Sequence, residues 1–112
     1  MLTLYGIPNC DTCRKARKFL EQDGVDYRFH DLREDGLDRP TIERWVAAVG
    51  LDALLNRRST TWRQLPAGDR DQLTESGAIE LMLAHPTLVK RPVAEKGESV
   101  RVGFNAGVYR EL

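Results

Sequence analysis

Cys10 and Cys13, the two cysteines of this chain, stand three positions apart in Cys10-Asp-Thr-Cys13. A thiolate is both a nucleophile and a soft metal ligand, so the pair points to thiol–disulfide exchange or to half of a zinc site. The zinc reading needs two further ligands. His30 and His85 stand in no finger-like spacing, and no metal is expected. The plainer alternative is two small buried hydrophobes. Position favours chemistry, because the pair lies where a first strand gives way to a first helix. A helix N-terminus presents unpaired N–H groups and about half a positive charge, both of which stabilise a thiolate. Such placement can bring a cysteine pKa from about 8.5 down to roughly 3.5–7.5. Cys10 at the cap is the better-placed nucleophile. Cys13, one turn later on the same side, is placed to attack a mixed disulfide on it. Asn9 shapes the turn before Cys10. Asp11 would oppose ionisation unless it turns to solvent or to the helix N–H groups.

The elements that must hold this pair are legible from periodicity. Residues 2–7 are apolar and β-prone and end at Pro8 and Asn9, a short buried strand. Ala16, Phe19 and Leu20 form an i, i+3, i+4 stripe on the helix that follows, and Gly24 stops it. On its other face Arg14, Lys15, Arg17 and Lys18 form a solvated basic run, with Arg17 and Glu21 in i, i+4 spacing. Residues 25–32 alternate strictly, Val25, Tyr27 and Phe29 against Asp26, Arg28 and His30, a second strand. A β-α-β unit of this length favours a parallel pair with a right-handed connection. Asp38 before Pro40 starts a helix with Ile42, Trp45, Val46 and Val49 on one face, ended by Gly50. Shorter helical stretches are expected at 51–55, 60–65 and 76–84. Two strands around a turn at 96–99 and a last helix capped by Asn105 complete the chain. The expected fold class is α/β, a mixed four-stranded sheet in the order β-α-β, helical insert, β-β-α, flanked by helices. One domain, residues 1–112, is expected, with the helical insertion at about 38–88. Trp45 is expected in the core and Trp62 packed. His30 and His85 are expected to be structural.

Composition bounds the function. A chain of 112 residues, 41% hydrophobic and 30% charged, is an ordinary globular profile. Lys+Arg and Asp+Glu both number 17, and a formal charge of zero argues against a nucleic-acid binder. No apolar run approaches the ~20 residues that cross a bilayer, and the N-terminus lacks the basic region of a signal peptide. A cytosolic monomer, with no membrane partner, is expected. The zero total is nonetheless a sum of blocks. Residues 10–18 carry +3, 57–63 carry +3 and Lys90 with Arg91 +2, against −5 over 21–52 and −3 over 69–80.

Three separated motifs resemble the ArsC/Spx/YffB family, whose fold is thioredoxin-like. Tyr5-Gly-Ile-Pro-Asn-Cys-Asp-Thr-Cys-Arg-Lys-Ala16 resembles its active-site segment. The resemblance continues through residues 53–62, His85-Pro-Thr-Leu-Val-Lys-Arg-Pro92 and Val102-Gly-Phe-Asn105. It covers essentially the whole chain. Residues 27–31 and 36–38 resemble the YffB-type branch of glutathione-dependent thiol reductases in particular. The resemblance implies that Cys10 is the nucleophile and that Arg91, before a cis Pro92 close to the Cys10 sulfur, is a site arginine. It also implies a second site arginine at Arg58, with Arg57 as the alternative. Glutathione is implied as cosubstrate, with no bound cofactor. Arginine binds carboxylates bidentately, and glutathione carries two. The basic blocks coincide with these motifs and are expected to meet at one thiol site.

Two departures leave other readings open. Arsenate reductases of the family use a third arginine near the end of the last strand. Gly103 or Phe104 stands there in this chain, and Arg101 lies earlier, which ranks arsenate reduction last. Those enzymes and many YffB-type members also lack a cysteine at position 13, whereas redox-switch regulators of the Spx type, which bind RNA polymerase, have one. A Cys10–Cys13 disulfide switch is therefore the alternative to a reductase.

Overall fold

The computed structural model describes residues 1–71 and 73–112, which divide into two compact units. The first comprises Met1–Gly36 with Arg91–Leu112, and the second Leu37–Lys90.

The first unit is built on strands β1 (Leu2–Gly6), β2 (Tyr27–Asp31), β3 (Val93–Lys96) and β4 (Ser99–Val102), with helices α1 (Asp11–Gln22) and α7 (Ala106–Tyr109). The sheet order is β2-β1-β3-β4. β1 runs parallel to β2, with Leu4 opposite Phe29, and antiparallel to β3, with Leu4 opposite Ala94. The β3–β4 hairpin is antiparallel and turns at Gly97, where φ is +59°. This is the mixed four-stranded sheet that the alternation patterns require. Strand β2 is shorter than its pattern, because Val25 stays 36% exposed beyond the pairing with β1.

One sheet face presents Leu2, Leu4, Tyr27, Phe29 and Ala94 to Ala16 and Leu20 of α1 and to Tyr109 of α7. Fully burying a leucine here contributes about 1.5–3 kcal/mol. Phe19, Phe104 and Tyr109 close this core with edge-on ring contacts, 5.1 Å between the Phe104 and Tyr109 centroids. Helix α1 ends with Gly24 in the left-handed region, where glycine carries no Cβ penalty. Its basic face is tied down on one side. Arg17 stacks over the Phe29 ring, 4.1 Å from the centroid, and donates to the Tyr27 hydroxyl, which donates to Glu21. Arg17 and Glu21 are thus linked through Tyr27.

The second unit holds α2 (Arg39–Val49), α3 (Leu51–Leu54), α4 (Thr60–Gln64), α5 (Ala67–Arg70) and α6 (Glu75–Ala84), followed by a 3-10 turn at Pro86–Leu88. Polar caps start three of them: Asp38 accepts from the Thr41 N–H, Ser59 from Trp62 and Thr74 from Gly77. α2 packs on α6, and Arg39 joins them through its ion pair to Glu80 while pairing with Glu43 on its own helix. Trp45 is fully buried, as its place on the apolar stripe requires. An antiparallel bridge between Leu55 and Val89 closes the unit, with Asn56 N–H donating to Leu88 and Lys90 N–H to Leu54. Helix α5 and the 3-10 turn lie outside the helical stretches expected from sequence. Each is a single turn, α5 following Pro66 and the 3-10 turn beginning at Pro86, too short for a periodic signal.

Candidate thiol site

Strand β1 delivers the chain to Pro8 and Asn9, and α1 starts at the next turn with Cys10 as its N-cap. Cys10 takes extended backbone angles there, φ −136° and ψ 122°, while its carbonyl accepts from the Arg14 N–H at 2.9 Å. No side-chain oxygen caps the helix, and the Cys13 N–H of its first turn is directed at the Cys10 sulfur. Asp11 turns outward, fully in solvent, to an ion pair with Arg14 at 3.1 Å. Arg14 also donates to the Asn9 side-chain oxygen at 2.8 Å, fixing the turn that precedes the thiol.

The two thiols sit in opposite environments. Cys10 is half-buried, and Cys13 is wholly buried. Partial burial alone raises the Cys10 pKa. The Cys13 N–H, the Cys13 thiol and the Arg91 guanidinium outweigh it, and the net shift is downward from the ordinary cysteine value. Cys13 moves the other way, to about 11. Burial is the largest cause, opposed by the Ile7 N–H and reinforced by the neighbouring Cys10. The site therefore pairs a thiol that ionises more readily than an ordinary cysteine, Cys10, with one that burial keeps neutral, Cys13.

Arg91 comes from the segment before β3. The Arg91–Pro92 peptide is cis, and Pro92 is buried. Pro92 accepts from the Gly103 N–H at 2.8 Å, which ties this segment to the end of β4. Cys10, Cys13 and Arg91 are thus brought together by three stretches of the first unit. Arg101, from the same strand as the Gly103 turn, donates to the Val100 carbonyl at 3.0 Å.

Arg58 belongs to the second unit. Its N–H donates to the Asn56 side chain at 3.1 Å, and its exposed side chain lines a cavity of about 340 Å³ with Asp52, Leu55, Asn56, Arg57 and Lys90. Arg57 is drawn to Asp52 at 2.9 Å and lies over the half-buried Trp62 ring. Of the two candidates, Arg58 carries the charge not already neutralised by Asp52. His30 Nε2–H donates to the Gly36 carbonyl, 2.6 Å away, and its ring packs on Tyr5. His85 ends α6 as its C-cap. Among the described residues, no three His, Cys, Asp or Glu side chains gather as a metal site would require, and no helix is long and apolar enough to cross a membrane.

Sequence reasoning missed Gly6. A Cβ built there would stand 2.6 Å from the Cys13 sulfur, closer than any real Cβ contact. A glycine inside an apolar strand is the signal of a close approach, and it was readable.

The model of the ArsC family matches residues 5–112. An uncharacterized protein of Haemophilus influenzae is 39% identical over 98% of this chain and 96% of its own. The global transcriptional regulator Spx of Streptococcus pyogenes is 31% identical over 98% of this chain and 83% of its own. Among solved structures, the YFFB protein superposes with a TM-score of 0.96 at 45% identity, covering 99% of this chain and 97% of that one. An arsenate reductase related protein from Brucella melitensis reaches 0.78 at 47%, covering 98% and 92%. A glutaredoxin from Archaeoglobus fulgidus, 18% identical with a TM-score of 0.54 over 99% and 83%, shares the thioredoxin-like fold alone.

Proposed function

The chain belongs to the ArsC family, and on that premise we propose that it is a thiol–disulfide oxidoreductase that uses Cys10 as nucleophile and glutathione as cosubstrate. The observation that carries this reading is the environment of Cys10: a helix cap, a backbone N–H and the Arg91 guanidinium, all favouring the thiolate.

In the first step the Cys10 thiolate attacks the glutathione sulfur of a glutathionylated thiol. The old S–S bond breaks, the substrate leaves as a thiolate and takes a proton from solvent, and a Cys10–glutathione disulfide forms. The thiolate of a free glutathione then attacks the glutathione sulfur of that disulfide. It releases oxidised glutathione and restores the Cys10 thiolate. The net exchange consumes one glutathione thiol and frees one substrate thiol, and no other reductant enters. Cys13 offers a second route. Once its buried thiol loses its proton it attacks the Cys10 sulfur of the mixed disulfide, the bond to glutathione breaks, and glutathione leaves as a thiolate that takes a proton from solvent. Two further glutathiones, leaving as oxidised glutathione, return the internal disulfide to two thiols. Arg91 and the cis Pro92 shape the thiol site, and Arg58 binds a glutathione carboxylate from the basic cavity that it shares with Lys90. Asn9 contributes through the turn that it holds.

Mass spectrometry of Cys13→Ser after exposure to oxidised glutathione tests this. A stable adduct on Cys10 is expected, and its absence would sink the reading. One observation favours a second reading. The Cys10 and Cys13 thiols interact directly, and the Spx relative named above is a transcriptional regulator. If wild type forms an internal disulfide and no adduct, and captures RNA polymerase in one redox state alone, a redox switch replaces the reductase. Arsenate reduction ranks last, because a glycine turn and the core residue Phe104 occupy the stretch where a third arginine would stand.

A further inference from the structure

Tyr109 is buried, and the thiol chemistry above makes no use of it. It closes α7, whose first turn is capped by the Asn105 side chain accepting from the Val108 N–H at 3.2 Å. Its ring packs edge-on against Phe104 and Phe19 and lies among Leu2, Leu4, Ala16, Leu20 and Ala94. Phenylalanine would satisfy all of those contacts. The hydroxyl does something else: it donates to the Gly103 carbonyl at 3.0 Å. Gly103 turns the chain at φ +82°, a conformation that glycine alone adopts cheaply, and its N–H donates to the Pro92 carbonyl at 2.8 Å. Two hydrogen bonds therefore run from the Tyr109 hydroxyl to the residue bonded to Arg91. Burial, and after it the charge that Cys13 would carry, push the Tyr109 hydroxyl up, so it remains a neutral donor throughout the range in which Cys10 titrates.

We propose that Tyr109 is a positioning residue for the thiol site: its hydroxyl holds the Gly103 turn, the turn holds Pro92, and Pro92 keeps the Arg91 guanidinium against the Cys10 sulfur. Tyr109 touches no reacting atom and acts through Arg91. The proposal rests on Cys10 as the nucleophile of the preceding reading, but it concerns the ionisation of that thiol and not its substrate.

The test is the pH profile of Cys10 alkylation by iodoacetamide, with no glutathione present, in wild type, Tyr109→Phe, Arg91→Met and the double variant. Tyr109→Phe is expected to move the midpoint of the profile up by about half a pH unit or more, roughly threefold less thiolate at any pH below the midpoint. In the Arg91→Met background the same change is expected to add nothing. An unmoved profile in Tyr109→Phe overturns the proposal. So does a displacement of equal size in both backgrounds, which would mean that the hydroxyl acts elsewhere. If Tyr109→Phe does not fold, as circular dichroism would show, Asn105→Ala takes its place. That change loosens the first turn of α7 and leaves the ring intact. It is expected to move Cys10 in the same direction, and an unmoved profile overturns the proposal. A failed glutathione adduct with the expected titration would remove the reductase and leave the Tyr109 relay standing.

Discussion

The Cys13 sulfur lies so close to the backbone of Gly6 that a methyl group on Gly6 would stand 2.6 Å from it. The end of β1 is thereby a seat for the second thiol of the pair. The Ile7 N–H adds a hydrogen bond to the same sulfur. Gly6→Ala is expected to destabilise the fold by about 1–3 kcal/mol, the usual cost of overpacking. Combining it with Cys13→Ala removes the clashing atom and is expected to recover most of that loss. Urea unfolding of both single variants and the double variant gives the coupling directly. Additive losses would mean that the two residues do not meet.

Among the described residues, Arg91 supplies the side-chain cation that acts on Cys10. Arg91→Met is expected to raise the pH at which the Cys10 thiol ionises. Alkylation at pH values below the midpoint then slows, about tenfold for every pH unit by which the profile rises. Arg91→Lys keeps the charge without the planar fork and is expected to fall between. Alkylation rates across pH, read for all three proteins, check the order. Superimposable profiles would exclude Arg91 from the site.

Cys13 makes the protein sensitive to alkali. Its pKa is raised in the folded state, to about 11, so its contribution to stability is complete below the ordinary cysteine value. That contribution is lost as pH rises from there towards about 11. Tyr109, shifted in the same direction, adds to the loss at the upper end. Cys10 is shifted downward, so its contribution is lost on the acid side and is constant in this window. Thermal melts between about pH 9 and pH 11 should therefore show a steep fall in Tm for wild type and a shallower one for Cys13→Ala. Equal slopes would count against a buried neutral thiol.

Arg58 and Arg91 are expected to separate kinetically. Arg58→Ala should raise the half-saturating glutathione concentration severalfold, as expected for loss of a charge-assisted hydrogen bond worth about 1.5–3 kcal/mol when fully desolvated and less at this exposed site. It should leave the alkylation profile of Cys10 unchanged. Steady-state kinetics with glutathione as the varied substrate, beside the titration, decide the assignment. A moved thiol profile would give Arg58 the role assigned here to Arg91.

The parts of this fold legible in the sequence are those with a period or a cap. The stripe of Ala16, Phe19 and Leu20, the stripe around Trp45, and the Asp38 and Asn105 caps all stand where local pattern puts them. The strand-to-helix junction admits Cys10 or Asp11 as the cap, and the fold gives the position to Cys10. What local pattern cannot carry is a relation between distant residues. Nothing near Tyr109 announces that its hydroxyl reaches Gly103, and nothing near Pro92 announces that Gly103 holds its carbonyl. Gly6 is the intermediate case: its type signalled a close approach, but the partner, Cys13, is known from the fold alone. Helix α5 and the 3-10 turn are single turns with too few residues to show any period.

The central strand β1 is paired on one side to β3, so that Tyr5 bonds Glu95 across 90 positions of sequence. Chain order gives this pairing a temporal meaning. A ribosome that has delivered Cys10 and all of α1 has not yet delivered Arg91, nor the Gly103 turn, nor Tyr109. Until those residues emerge, the edge of β1 is unpaired and Cys10 lacks its cation, with reactivity nearer that of a free cysteine. Thiol reactivity in this protein is thus a property of the finished chain: the nucleophile is made first and armed last.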